Sequence, residues 1–331
     1  METLLNVKNL SVGYYGDTGR DVAVDNVSFS VARGEILCIV GESGCGKSTL
    51  AMAIPRLLPE PPAFIDAESI KLCGEELLSL PRNGFCKIRG SRIGVIFQEP
   101  MTALSPLHRI GDQLEEAVSL HRQMGKVELR RLVLDWLERV GIPDPSRALL
   151  SYPYELSGGM QQRVMIAMAL INDPDLVIAD EPTTALDVTT QSQVLELVRK
   201  LVGKKSGLLL ITHDMGVVRS MATRVAVMYA GRIIETASCN DLFSFPSHPY
   251  TRALLSSMPT LATRGRPLPV IEGFVPTLAE CASLKGCRFS PRCKYGKECN
   301  ADDTVIAFDG VEGARTSRCR FAYEKSLEAR K

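Results

Sequence analysis

The sequence predicts an α/β protein: a parallel, helix-covered sheet with an antiparallel β segment before it, a helical insertion within it and a cysteine-bearing tail after it. Three observations carry this expectation. Short apolar runs of strand length recur between stretches of helical periodicity, the pattern of a parallel sheet covered on both faces. The first forty residues instead alternate apolar with polar, as half-exposed antiparallel strands do. Past Ala230 prolines interrupt every pattern, and five of the ten cysteines fall after residue 280.

In chain order, Leu4 to Val12 and Asn26 to Val31 read as antiparallel strands, with Gly13 to Gly19, including two tyrosines, as a loop between them. Glu35 to Val40 is a short apolar run of the kind a fully buried strand shows. Gly41-Glu42-Ser43-Gly44-Cys45-Gly46-Lys47-Ser48 then fits the pattern G-x-x-x-x-G-K-S/T, and Thr49 to Ala53 is good helix-forming sequence. Strand, glycine loop and helix together form a phosphate-binding loop: backbone N–H groups converge on phosphate oxygens, and the helix end adds partial positive charge. Lys47 would pair with the β- and γ-phosphates, and Ser48 would offer its hydroxyl to Mg²⁺. The chain is therefore expected to bind a nucleoside triphosphate. Cys45, beside Lys47 and a helix start, reads either as a reactive thiolate or as an inert small residue.

Pro55 should kink or end the helix, and Pro59, Pro61 and Pro62 mark a connection. Arg92 to Phe97 is another buried strand, ending at Gln98. From Ile110 to about Val140 the apolar positions Leu114, Val118, Leu129, Leu132, Val133, Trp136 and Leu137 recur at helical spacing, which reads as a long helical insertion between core strands. Leu176 to Asp180 and Gly207 to Thr212 are further buried strands. Residues from about 236 to 331 read as an appendage with a smaller core of its own.

Two further segments carry chemistry. The apolar run Leu176 to Ala179 leads into Asp180-Glu181, at the kind of strand end where parallel sheets place ligands. Asp180 can hold Mg²⁺, and Glu181 is placed to polarise an attacking water. In Leu156-Ser157-Gly158-Gly159-Met160-Gln161-Gln162-Arg163, Ser157 and two glycines open a helix expected over Met160 to Ile171. That is a second anion-binding helix end, which makes sense if it serves another chain's nucleotide.

These residues resemble the ATPase subunit of an ATP-binding-cassette transporter, so the resemblance implies an ATP-binding-cassette fold in which two ATPase domains sandwich ATP head to tail. Residue by residue it implies that Gly41, Ser43, Gly44, Cys45, Gly46, Lys47, Ser48 and Thr49 form the phosphate loop. Gln98 corresponds to the Q-loop glutamine, which also attends Mg²⁺, and 156–160, with Ser157, Gly158 and Gly159, to the signature of LSGGQ type. Met160 stands where that signature often has Gln. Asp180 corresponds to the Walker B aspartate, Glu181 to the catalytic base, Ala185-Leu186-Asp187 to the D-loop and His213 to the switch histidine. Tyr14 is the matching adenine stacker, with Tyr15 as the alternative. Phe97 to Pro106, Pro182 to Thr189 and His248 to Leu255 narrow the resemblance to the peptide/nickel-uptake branch.

The resemblance implies residues 1–235 as the nucleotide-binding domain, with a helical subdomain at about 99–157, and 236–331 as a C-terminal extension. It implies import of oligopeptides, dipeptides or nickel complexes, driven by ATP and Mg²⁺. The expected partners are a second, paralogous ATPase subunit, two integral membrane permease subunits and, indirectly, an extracytoplasmic solute-binding protein. The expected location is the cytoplasmic face of the membrane, held there by those subunits.

The extension of that branch often ends in a four-cysteine motif used by some members for a 4Fe–4S cluster. Cys287-Arg288-Phe289-Ser290-Pro291-Arg292-Cys293 resembles its first half. Cys299 follows after five residues where the family has six, and Cys319 lies where a remote fourth ligand would. Cys281 is a spare thiol. The alternatives are zinc, although no C-x₂-C knuckle occurs, and free thiols.

Bulk properties set limits. Thirty-nine basic against 38 acidic residues give +1, which offers no electrostatic grip on nucleic acid. No apolar run approaches the length of a membrane span, and the N-terminus lacks a signal-like segment, so a cytosolic protein is expected. Two rivals are a soluble ATP-binding-cassette protein acting on ribosomes or DNA repair, and a subunit that binds ATP only to complete a partner's site. One ATPase unit per chain counts against the first, and an intact Glu181 and His213 against the second.

Overall fold

The computed structural model describes residues 2–16, 19–184, 187–259, 265, 267–296, 299, 303–307 and 315–319. The chain divides into two compact units, one of residues 1–5, 31–35 and 71–210, the other of residues 6–30, 36–70 and 211–331.

In the first unit, strands Ile93–Ile96 and Leu176–Asp180 run parallel, with Ile93 opposite Leu176 and Ile96 opposite Ala179. Residues 207–210 lie on the other side of Leu176–Asp180. Every residue of Leu176–Asp180 is buried, as expected for a strand covered on both faces. The insertion carries the helices Ile110–Ser119, Lys126–Arg139 and Pro145–Leu150. The chain leaves the helix over 121–125, where Gly125 precedes the next helix. Ile110, Leu114 and Val118, spaced by four, are fully buried on one face, each worth about 1.5–3 kcal/mol of burial. Gln113 on the same helix is buried too. Its amide accepts from the Ser105 N–H (2.8 Å) and donates to the carbonyls of Ser105 (3.0 Å) and His108 (2.9 Å), which pins the loop that follows Gln98.

In the second unit, residues 6–16 of strand Thr3–Gly16 and 19–30 of strand Gly19–Ala32 are neighbours, and Ala63–Asp66 pairs antiparallel with the first, Ser11 opposite Asp66. The segment expected as a loop from Gly13 is strand as far as Gly16. Gly13 makes this possible: a Cβ there would meet the Asp21 carbonyl oxygen at 2.1 Å, so only glycine allows the approach. Ile36–Val40 runs parallel to Arg224–Tyr229, Leu37 opposite Arg224. Arg224–Tyr229 forms a hairpin with Arg232–Ser238 through Ala230 (φ 45°) and Gly231 (φ 84°), a turn whose two positive φ angles suit strand twist. The first helix, Lys47–Ala53, ends before Pro55 as expected.

The C-terminal segments attach to that hairpin. Thr316–Ser317 pairs with Arg232–Ser238, and Ile306–Ala307 pairs with Thr316–Ser317. Buried Glu235 accepts the N–H groups of Ser247 (2.7 Å) and His248 (2.8 Å). Buried Arg315 donates to the Phe245 carbonyl (2.7 Å) and the Ser247 hydroxyl (3.1 Å). Asp25 receives both Arg232 (2.8 Å) and Arg288 (2.5 Å), while Asp303 receives Arg232 (2.5 Å) and Arg318 (3.2 Å). Tyr229 packs against Tyr250 (ring centroids 4.7 Å apart) and Phe289 (5.3 Å). The appendage thus builds its core on a strand residue that precedes it.

Candidate nucleotide site

The phosphate loop leaves the end of Ile36–Val40, of which Leu37 to Val40 are fully buried, and enters helix Lys47–Ala53. Its glycines are required by conformation and contact. Gly44 and Gly46 have φ of 78° and 102°, a region that favours glycine. A Cβ on Gly41 would sit 2.1 Å from the Met228 carbonyl oxygen, and one on Gly46 would sit 2.6 Å from that of Ala23. Lys47 is only 5% exposed. Its ammonium lies inside the loop, donating to the carbonyls of Gly41 (2.8 Å) and Glu42 (2.9 Å) and to the Cys45 sulfur (3.7 Å). These bonds hold a charged ammonium at the position from which a phosphate oxygen could take it over. Ser43 and Ser48 are exposed, Thr49 half-buried.

Cys45 resolves toward its inert reading. It is 1% exposed, and burial raises its pKa despite the opposing pull of Lys47. Desolvation of a thiolate outweighs one neighbouring cation.

His213, exposed, follows strand Gly207–Thr212, and Asp214 beside it caps helix Met215–Met221 by accepting the N–H groups of Gly216 (2.7 Å) and Val217 (3.3 Å). Tyr14 is half-buried in its strand. Tyr15 is 56% exposed and rests against Phe64, ring centroids 5.4 Å apart.

In the first unit, Ser157 caps helix Gly158–Leu170, accepting the Met160 N–H at 3.4 Å. The helix starts two residues earlier than expected. Ser157 and Gly158 are exposed, so the helix start is open. The two glutamines that follow face inward: Gln161 donates to the carbonyls of Pro153 (2.8 Å) and Leu156 (3.2 Å), and Gln162 to that of Pro182 (2.5 Å). The second bond ties the signature helix to the residue after Glu181. Asp180 is buried at its strand end. Glu181 has a φ of 45° and accepts the Thr184 hydroxyl at 3.0 Å, an uncommon conformation for a residue with a side chain. Gln98 is exposed, two residues past Ile93–Ile96. Of the D-loop, Ala185 and Leu186 lie outside the described residues. Asp187 caps helix Val188–Val202, accepting from the Thr190 hydroxyl (2.7 Å) and the N–H groups of Thr190 (3.0 Å) and Thr189 (3.1 Å). Those bonds lower its pKa, the Thr190 hydroxyl most.

The tail cysteines do not assemble as expected. Among the described residues, no group of three or more His, Cys, Asp or Glu is placed to hold a metal ion. Cys287, Cys293 and Cys299 are half-buried, and Cys281 and Cys319 buried. Burial raises the Cys287 pKa to about 12, with smaller contributions from nearby Cys319 and Cys293. Cys293 is shifted the same way, by burial first and by Cys299 in part. Among the described residues the cysteines are thus not arranged as a preformed ligand set. The residues between the cysteines have definite work instead. Arg288 pairs with Asp25, Phe289 fills the aromatic cluster, and Arg292 reaches Glu42 of the phosphate loop. Sequence reading missed Glu42, Tyr250, Phe289 and Arg292. Its available signal was the arginine and aromatic content of a segment that its cysteines had already explained.

The sequence matches the family described as ABC transporter over residues 24–184, and the oligopeptide/dipeptide transporter C-terminal region over residues 234–299. It is similar to a probable peptide ABC transporter ATP-binding protein of Sinorhizobium fredii, 49% identical over 297 residues, 89% of this chain and 88% of that one. It is 45% identical over 327 residues to the oligopeptide transport ATP-binding protein AppD of Bacillus subtilis, 98% of each chain. Among solved structures, a post-hydrolysis dimer of an ATP-binding cassette bound to ADP and Pi matches 71% of this chain and 99% of its own, with a TM-score of 0.64 at 29% identity. With the loop, capped signature helix and buried strand-end aspartate in place, these likenesses show that the chain belongs to the ABC-transporter ATP-binding proteins, in the branch that bears the oligopeptide/dipeptide transporter C-terminal region.

Proposed function

We propose that this chain hydrolyses ATP to energise uptake of oligopeptides or dipeptides through partner membrane subunits. The observation that carries the nucleotide part is Lys47, whose buried ammonium is held by the loop's own carbonyls. The C-terminal region match and the relatives' names favour peptides over nickel complexes and over a soluble, non-transport ATPase. Residues 1–235 are read as the nucleotide-binding domain, with the helical subdomain at about 99–157, and 236–331 as the extension.

The family motifs supply the roles. Gly41, Ser43, Gly44, Cys45, Gly46, Lys47, Ser48 and Thr49 cradle the phosphates, and Ser157, Gly158 and Gly159 receive the nucleotide of the partner ATPase subunit. Tyr14 stacks on adenine. Glu181 takes a proton from the attacking water as the water oxygen bonds to the γ-phosphorus and the bond to ADP breaks. Gln98 and His213 respond to the γ-phosphate. Ser48, Gln98 and Asp180 offer the hard oxygen donors that suit Mg²⁺, which would neutralise phosphate charge. The partners are a paralogous ATPase subunit, two permease subunits and, through them, an extracytoplasmic binding protein. Those partners would hold the chain at the cytoplasmic face of the membrane; no described helix is long and apolar enough to cross it. Copurification with integral membrane subunits tests this assembly.

In the assembled transporter, Glu181→Gln should keep ATP binding and lose turnover by roughly 10²–10⁴-fold, while Lys47→Ala should weaken binding itself. Near wild-type hydrolysis by Glu181→Gln would sink the assignment. A 4Fe–4S cluster on Cys287, Cys293, Cys299 and Cys319 rests on the family resemblance and on the neighbouring thiols, and its assembly would require them to move together. Iron and sulfide analysis of anaerobically purified protein decides it.

A further inference from the structure

We infer that the C-terminal extension sets the conformation of the phosphate loop through Glu42, with Arg292 and Tyr250 as positioning residues for nucleotide binding. The inference rests on the nucleotide reading above and adds a control element to it.

Glu42 is the second residue of the loop, and each of its polar groups has a partner. Its N–H donates to the Tyr250 hydroxyl at 2.9 Å. Its carbonyl accepts from the Lys47 ammonium at 2.9 Å. Its two carboxylate oxygens accept from the two terminal nitrogens of Arg292, at 2.8 and 3.1 Å. Tyr250 and Arg292 come from the extension, the Cys45 N–H also donates to the Glu42 carbonyl (3.3 Å), and Lys47 is the lysine that would serve the phosphates. The Glu42 backbone therefore links the extension to Lys47 by one residue.

Arg292 is built for this task. Its side chain is 5% exposed. Besides Glu42, it donates to the carbonyls of Glu272 (2.8 Å) and Ile271 (3.0 Å) and to the Tyr229 hydroxyl (3.3 Å). Five donors meet five acceptors, so the guanidinium has one orientation that satisfies all of them. A fork-to-fork pair with a carboxylate adds geometric definition as well as energy. The backbone beneath it is fixed too. Residues Ser290–Arg292 form one helical turn, and Phe289 before them is buried against Tyr229 and Tyr250. Tyr250 is fully buried. Without Arg292 the Glu42 carboxylate stands uncompensated in a loop that must accept phosphate charge. The loop also loses the side-chain anchor that fixes the residue bonded to Lys47.

The same contacts could serve stability alone, and a mutant cycle on nucleotide affinity separates the two roles. The full-length protein is prepared as wild type, Arg292→Gln, Glu42→Gln, the double variant, Arg292→Lys and Lys47→Ala. MgATP affinity is measured by calorimetry, and unfolding without nucleotide is followed in parallel. Arg292→Gln should weaken MgATP binding by about tenfold or more, the scale of hydrogen bonds to a charged group. Arg292→Lys should recover only part, because an ammonium cannot reproduce the fork. The double variant should bind no more weakly than Arg292→Gln, since the partner of the lost group is already gone. Tyr250→Phe, which removes only the hydroxyl that accepts from Glu42, should weaken binding by about threefold or more, and it carries the test if Arg292→Gln fails to fold. Wild-type affinity in Arg292→Gln and Tyr250→Phe, or additive losses in the double variant, would overturn the inference while Lys47→Ala still loses binding. Wild-type affinity in Lys47→Ala as well would overturn the nucleotide reading and this inference with it.

Discussion

Removing the ring of Phe289 should release the extension from the strand on which it is built. Phe289 is 3% exposed, and its ring lies 5.3 Å from that of Tyr229, 5.4 Å from Tyr250 and 6.0 Å from His248. Burial of a phenylalanine side chain contributes about 1.5–3 kcal/mol, and each aromatic pair adds about 0.5–1.5 kcal/mol. The cavity left by truncation cannot collapse while both tyrosines are held, Tyr229 in a strand and Tyr250 in a helix, so Phe289→Ala should cost about 3–5 kcal/mol. That loss should be local. The single tryptophan, Trp136, belongs to the other compact unit, and its fluorescence reports that unit alone. Denaturant unfolding followed by Trp136 should change little, whereas pulse proteolysis within 239–293 should show the full loss. Phe289→Leu, closer in volume, should recover most of the stability. A cost below about 1 kcal/mol at the extension would refute the claim that this ring anchors it.

Two further outcomes follow from burial. Cys45 should alkylate far more slowly than exposed Cys86 in the folded protein, because burial keeps its thiol protonated; peptide mass spectrometry that finds the two equally fast would contradict this. His248 is fully buried, its Nδ1 accepts the Tyr250 N–H at 3.1 Å, and burial lowers its pKa to about 3. A depressed histidine keeps its contribution above the unfolded value of 6.5 and loses it as pH falls toward the folded value, by at most about 1.4 kcal/mol per pH unit. Stability of the extension should therefore decline below pH 6.5, and His248→Gln should flatten that decline; an unchanged slope in the variant would remove His248 as its cause.

Much of the core was legible because burial leaves a local trace. Leu176–Asp180 reads as an apolar run and is buried throughout. The phosphate loop reads as glycines at fixed offsets, and the structure needs glycine at those offsets for φ and for close backbone approach. The hairpin Arg224–Ser238 was less legible, because the prolines beyond Ala230 dominated the reading. The reactive reading of Cys45 failed for a similar reason. Sequence shows the nearby lysine but not the apolar packing that desolvates the thiol.

Sequence alone therefore determined the nucleotide chemistry, since a phosphate loop, a signature helix start and a strand-end carboxylate are each made by contiguous residues whose backbone conformation their own types dictate. Tertiary structure decided what the extension does. The contacts from Arg292 to Glu42 and from Tyr250 to Glu42 span 250 and 208 residues. Contacts at such separation depend on which surfaces the fold brings together, and no local propensity encodes that. Cysteines at such spacings suggest metal in a string of letters, whereas in the folded chain the arginines between them are engaged by carboxylates and carbonyls.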